Sequence, residues 1–133
     1  MSSTQNTLNA TSVMPSLTVN HLQQSLDFFT GLGFEVEDRW EQDGVLIGAM
    51  LRAGRARLGL SQDDGKKGLD RVKGVGVRIF VETADDINAA AARAVAAGVT
   101  LAKAPYDTEW GARAFEVVDP SGFLLTIASP SSA

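Results

Sequence analysis

The sequence predicts an α+β fold made of two βαβββ units, and three observations carry that reading. The order strand, capped helix, three strands is written twice along the 133 residues. The two helical stretches, Leu22 to Gly33 and Ile87 to Gly98, each run eleven steps to a stopping glycine. The β-rich segments between them alternate and are separated by short glycine-containing turn signals. Repetition of a whole unit weighs more than any single motif, because order, cap and stop all recur together.

The elements follow in order. Residues 1–12, "MSSTQNTLNATS", are Ser/Thr/Asn-rich and read as a flexible tail. That stretch has no basic start and no apolar run, so it is not expected to be a secretory signal. The first unit covers 13–61. Its opening strand is "VMPSLTV" (13–19), alternating and partly β-branched. Asn20 is placed to cap a helix, with Gln23 as its reciprocal partner. Leu22, Ser25, Leu26, Phe29 and Leu32 then form an apolar stripe, and Gly31 and Gly33 stop the helix. Strands follow at 34–40, 45–51 and 55–61. A linker at 62–74 holds the only basic cluster, "GKKGLDRVKG", which is broken by glycines and Asp70 and reads as solvated. The second unit, 75–129, repeats the order. A strand at 75–81 leads to a Thr83–Asp86 capping box, an Ala-rich helix ending at Gly98, and strands at 99–104, 112–118 and 123–128. The two units together are expected to make one structural domain.

Composition narrows the function classes. There is no cysteine, which removes disulfides, thiolate metal sites and Cys nucleophiles. A net charge of −4 argues against a nucleic-acid partner, since such binding rests on Lys and Arg neutralising phosphates. No stretch has the length of a membrane-spanning helix, so no membrane partner is expected and a cytoplasmic location is the default. With one histidine, His21, a His-based acid/base pair is impossible, and at the helix entry it reads as a solvent-facing capping residue.

"LTVNHLQQSLDFFTGLGFEV" (17–36) and "EWGARAFEVVDPSGFLLTIA" (109–128) together resemble the vicinal-oxygen-chelate superfamily, which includes glyoxalase I, extradiol dioxygenases and bleomycin-resistance proteins. The matching features are a strand, a Ser/Phe helix and an "LGF" exit, then "WG", an alternating strand and a "DPxG" turn. The resemblance covers roughly 13–128. It implies that the eight strands form a curved, cup-shaped mixed sheet with the helices on its outer face. It also implies that any metal is held by His, Gln or Glu from the first and last strands of each unit. Counted from the landmarks, those positions fall on Met14, Gly59, Gly76 and Thr126. None suits a divalent first-row ion, and a one-residue slip of register offers only aliphatic residues or proline. No metal or cofactor is expected.

Alternation then directs Arg57 and Arg78 into the cup. Two inward guanidinium groups call for an acidic ligand or acidic partners, drawn from Glu35, Glu37, Asp107, Glu109 and Glu116; otherwise their stems lie along the rim with the heads in water. Trp40, Phe80, Tyr106 and Trp110 sit where flat rings suit a planar ligand, and Thr126 faces the same space. The face of Phe115 stays open. These residues make the expected ligand-binding set: Trp40, Arg57, Arg78, Phe80, Tyr106, Trp110 and Thr126. The favoured function is metal-free sequestration of a small-molecule ligand, in a homodimer like those of the bleomycin-resistance proteins. The alternative is a divalent-metal-dependent lyase, isomerase or dioxygenase of the same superfamily. No nucleophile–base arrangement is visible, so no catalytic residue is assigned.

Overall fold

The computed structural model describes residues 6–131. Of the 1–12 segment, residues 1–5 lie outside the described residues and 6–12 are exposed. The chain runs β1 (Ser16–Val19), α1 (Leu22–Leu32), β2 (Glu35–Gln42), β3 (Val45–Ala53), β4 (Ala56–Gln62), β5 (Arg78–Glu82), α2 (Ile87–Ala96), β6 (Leu101–Asp107), β7 (Arg113–Val118) and β8 (Leu124–Ala128). The α+β class and the doubled βαβββ order are as the sequence predicts. The eight strands form two four-stranded mixed sheets, ordered β1-β4-β3-β2 and β5-β8-β7-β6. In each, the first strand pairs in parallel with the fourth and the remaining pairs are antiparallel.

Several boundaries differ from the sequence reading for local reasons. The first strand begins at Ser16 rather than residue 13. Pro15 has no amide proton to give the ladder, although its carbonyl accepts from Gly59 N at 2.8 Å. The fifth strand begins at Arg78 rather than residue 75, because Gly74 and Gly76 adopt φ of +78° and +75° and close a turn from Val77 N to Gly74 O. β6 lies later than expected and includes Pro105, which its edge position tolerates.

The caps differ as well. His21, not Asn20, occupies the N-cap of α1, and its side chain makes no capping bond. Gln62 at the end of β4 supplies the acceptor instead: Leu22 N donates to Gln62 Oε1 at 2.9 Å. Gln23 pairs with Asp27, and Asn20 donates its amide to Arg71 O. At α2 the cap is Asp86, which accepts from Ala89 N at 3.0 Å, while Thr83 Oγ1 accepts from Asp85 N.

Alternating residues of the strands face the helices. Leu17, Val19, Ala49, Leu51, Leu58 and Leu60 meet Leu22, Leu26 and Phe29 of α1. Phe115, Val117, Leu125 and Ile127 meet Ile87, Ala90, Ala91 and Ala94 of α2, so Phe115 belongs to the core. Both halves form one continuous apolar cluster. The "DPSG" turn ties the units together: buried Asp119 accepts from Ser25 Oγ at 2.7 Å and from Ser121 N at 2.7 Å, and Ser121 Oγ accepts from Asn20 N. Burial pushes the Asp119 carboxyl above its ordinary range.

Residues 63–77 form neither helix nor strand, yet they are anchored. Asp63 takes Lys73 and, at 3.5 Å, Arg71. The Lys73 hydrogen bond, then the Gly65 amide, hold its carboxyl at about 2. His21 Nε2 lies 2.6 Å from Asp70 Oδ1. No helix among the described residues is long and apolar enough to cross a membrane.

Candidate functional site

The helix-free face of the second sheet gathers five of the seven sequence-predicted residues. Register sets their positions. Arg78 lies opposite Leu124, and Phe80 lies opposite Thr126, which in turn lies opposite Glu116 on β7. Tyr106 lies opposite Ala114, whose other neighbour is Ala128. Paired residues share a face, so Arg78, Phe80, Tyr106 and Thr126 all point away from α2. Trp110, in the loop between β6 and β7, reaches them: its ring meets Phe80 edge-on, with centroids 6.5 Å apart. Both rings are largely open to solvent, at 57% for Phe80 and 51% for Trp110.

The polar groups on this face are satisfied unevenly. Tyr106 donates its hydroxyl to Glu116 Oε2 at 2.6 Å, and Lys103 lies 3.9 Å from the centre of the Tyr106 ring. The Glu116 hydrogen bond, with burial, pushes the Tyr106 phenol upward. Thr126 is 1% exposed, and its Oγ1 has no hydrogen-bond partner among the described residues. A buried hydroxyl without a partner is uncommon and costs free energy. Arg78 is exposed and makes no ion pair among the described residues.

Trp40 and Arg57 stand on the first sheet instead. Trp40 lies beside Gly48, and a side chain at Gly48 would meet Trp40 Cε3 at 3.0 Å, so the glycine leaves room for the ring. Arg57 is paired internally: Glu37 Oε2 takes Arg57 at 3.1 Å and Arg52 at 3.2 Å. Arg52, followed by Arg57, holds the Glu37 carboxyl below its ordinary range. Of the acids suggested for the two arginines, Glu37 is the one that answers Arg57.

A cleft of about 490 Å³ separates the units. Its apolar walls are Phe34, Leu58, Ile79, Val81 and Leu125, and residues 12–15 run along one side. Arg57 and Phe80 line it with Glu82, so Phe80 borders both the cleft and the aromatic face. A cavity of this size with apolar walls and few charges has the make-up of a small-molecule site.

Glu116, Lys103 and Arg52 were absent from the sequence-predicted ligand set. A signal for Glu116 existed. The "DPSG" turn closes with Asp119 N on Phe123 O, which brings Val118 opposite Leu124 and therefore Glu116 opposite Thr126.

The positions expected to hold a metal in the superfamily fit none. Met14 and Gly76 precede their strands; the residue beside Gly59 is Ser16, and the one beside Thr126 is Phe80. That set offers hydroxyls, a thioether, a phenyl ring and glycine, without imidazole or carboxylate, which is poor chemistry for a divalent first-row ion. Among the described residues no group of three or more His, Cys, Asp or Glu side chains is arranged to hold one.

A family model described as the Glyoxalase/Bleomycin resistance protein/Dioxygenase superfamily matches residues 8–127. Solved structures share the architecture. A glyoxalase/bleomycin resistance protein/dioxygenase from Nocardioides is 21% identical, with 98% of this chain and 91% of that chain covered and a TM-score of 0.70. TnmS3, an antibiotic binding protein from a Streptomyces species, is 22% identical over 93% of this chain and 99% of that one, with a TM-score of 0.68. A bleomycin-binding protein complexed with bleomycin is 18% identical over 92% of this chain and 100% of that one, with a TM-score of 0.67. At these identities the likeness is one of fold. No curated protein matches the chain.

Proposed function

Because the chain belongs to the Glyoxalase/Bleomycin resistance protein/Dioxygenase superfamily, we propose that it is a metal-free protein that sequesters a small molecule. Its ligand enters the cleft between the units and spreads over the face that holds Arg78, Phe80, Tyr106, Trp110 and Thr126. The observation that carries this reading is the contact between the two. Phe80 lines the apolar cleft and, with Trp110, presents two half-exposed rings beside a buried hydroxyl that lacks a partner. The Phe80 ring, held on β5, loses little conformational freedom on stacking, and a ligand polar group given to Thr126 Oγ1 removes the cost of leaving it unpaired.

Sequestration rather than turnover is favoured by what the site carries. Arg57 is taken by Glu37, and the hydrogen bond to Glu116 raises the Tyr106 phenol, which keeps its proton rather than serving as an oxyanion nucleophile. The folds of a bleomycin-binding protein and of an antibiotic binding protein among the similar structures agree with this role.

A homodimer completes the site in this reading. Trp40, Val45 and Ile47 on the first sheet, with Phe80 and Trp110 on the second, leave large apolar groups in solvent at 39% to 61% exposure. A second chain, laying its first sheet against this second sheet, covers both sets and turns an open face into an enclosed pocket.

The test is mass action. A panel of planar small molecules is screened by thermal unfolding, and a true ligand raises the melting temperature in step with its concentration. Sedimentation of the free and loaded protein reports the dimer. Elemental analysis of protein purified without chelator decides the competing reading: one equivalent of zinc, nickel, manganese or iron per chain, removed with loss of turnover, establishes a metal-dependent lyase, isomerase or dioxygenase instead.

A further inference from the structure

We propose that the molecule this face accepts is a planar aromatic anion, with its acidic group seated on Arg78; the inference rests on the small-molecule reading above. Counting the charged and hydrogen-bonding groups of the second sheet leads to it. Glu116 is engaged by the Tyr106 hydroxyl, Lys103 by the Tyr106 ring, and Arg113 by Asp107 and Asn88. Arg78 has neither an acid nor an aromatic ring as partner among the described residues. Two other groups are left over: Glu82 at the far end of β5, and the Thr126 hydroxyl, which donates as readily as it accepts. A guanidinium and an unpartnered hydroxyl, on neighbouring strands and one row apart on the same face, can both serve an acceptor.

Register shows why the acidic group belongs at the Arg78 end. Arg78 shares its row with Leu124 and Val118, which bear no charge, and it is exposed, with the Tyr106 phenol near enough to feel its charge. The face's two carboxylates lie elsewhere. Glu82 is four residues further along β5, about 13 Å at the usual strand rise. Glu116 is two strands away, on the order of 10 Å. Phe80 is two residues from Arg78, about 7 Å along the strand. A fused ring on Phe80 and Trp110 therefore carries its carboxylate to Arg78 through one bond or a short arm. A planar bidentate partner also suits the guanidinium fork better than a point charge.

Three molecules of one shape test this: naphthoate, its neutral amide and naphthylmethylammonium, titrated calorimetrically into the full chain and the variants R78Q, R78K and T126V. The wild type is expected to bind naphthoate at least roughly tenfold tighter than the amide at low salt, and the ammonium weakest, as a bidentate charge-assisted pair warrants. That preference narrows as ionic strength rises. R78Q brings acid and amide to parity, R78K keeps part of the preference, and T126V weakens all three several-fold. If the amide or the ammonium matches naphthoate on the wild type, or R78Q keeps the preference for the acid, the anion assignment is overturned while the small-molecule reading stands. If none of the three binds at millimolar concentration, both fall.

Discussion

Replacing Thr126 by valine tests the site through the folding equilibrium, with no ligand needed. Thr126 sits on the central strand β8 between Phe80 and Glu116, is 1% exposed, and has a hydroxyl without a partner. Valine has nearly the same shape. It removes the buried hydroxyl and puts a methyl group in its place, so no cavity opens and no side chain is displaced. A buried polar group left unpaired costs about 1–3 kcal/mol, and T126V is expected to recover most of it. For a chain of this size that corresponds to a rise of roughly 3–10 °C in Tm. The control is T126S, which keeps the hydroxyl and deletes the methyl, and is expected to lose about 1 kcal/mol. Urea unfolding followed by tryptophan fluorescence measures both, with the m-value checked for constancy. A T126V protein less stable than wild type by 1 kcal/mol or more refutes the reasoning, because it means the hydroxyl is already satisfied. Gained stability together with weakened ligand binding is the signature of a group kept for function.

Three further predictions concern the frame around the site. Asp63, held at about 2 by Lys73 and the Gly65 amide, lies below its ordinary 3.8. Its contribution to stability is therefore present above 3.8 and lost as pH falls toward 2, and D63N is expected to flatten that acid limb in urea melts across pH. Asp119→Ala leaves Ser25 Oγ and the Ser121 amide without an acceptor, so equilibrium unfolding should show a loss of roughly 2–4 kcal/mol. Gly48→Ala drives a methyl group against Trp40 at 3.0 Å and is expected to cost about 1–3 kcal/mol and shift the tryptophan emission, whereas an unchanged spectrum means the ring does not lie over the glycine.

The doubled βαβββ order was legible because its signals are local. Helix stripes at Leu22–Leu26–Phe29, the glycine stops and period-2 strands each depend on neighbours a few residues apart. Where a distant residue took over a local role, the reading failed. Asn20 looked like the cap of α1, but Gln62, forty residues on in the chain, supplies the acceptor that Leu22 N needs. Glycines 74 and 76 shortened β5 through a turn that the alternation of "VGVRIFV" does not reveal.

The site divides along the same line. By itself the sequence determined which residues share a face on each strand, and so turned Arg78, Phe80 and Thr126 toward one space and left the metal positions without imidazole or carboxylate. Tyr106, beyond the strand expected at 99–104, came in only as a suitable ring, and the longer β6 set its face. Side-chain alternation is a property of the strand alone, which is why one chain read in isolation suffices for it. Only the tertiary structure decided which charges are spent and which remain. Arg57 and Arg78 look equivalent along the chain, yet Glu37, at the register shift in β2, reaches past β3 to Arg57, while Arg78 has no acid as partner among the described residues, because register and sheet order bring partners together across distances that periodicity does not encode.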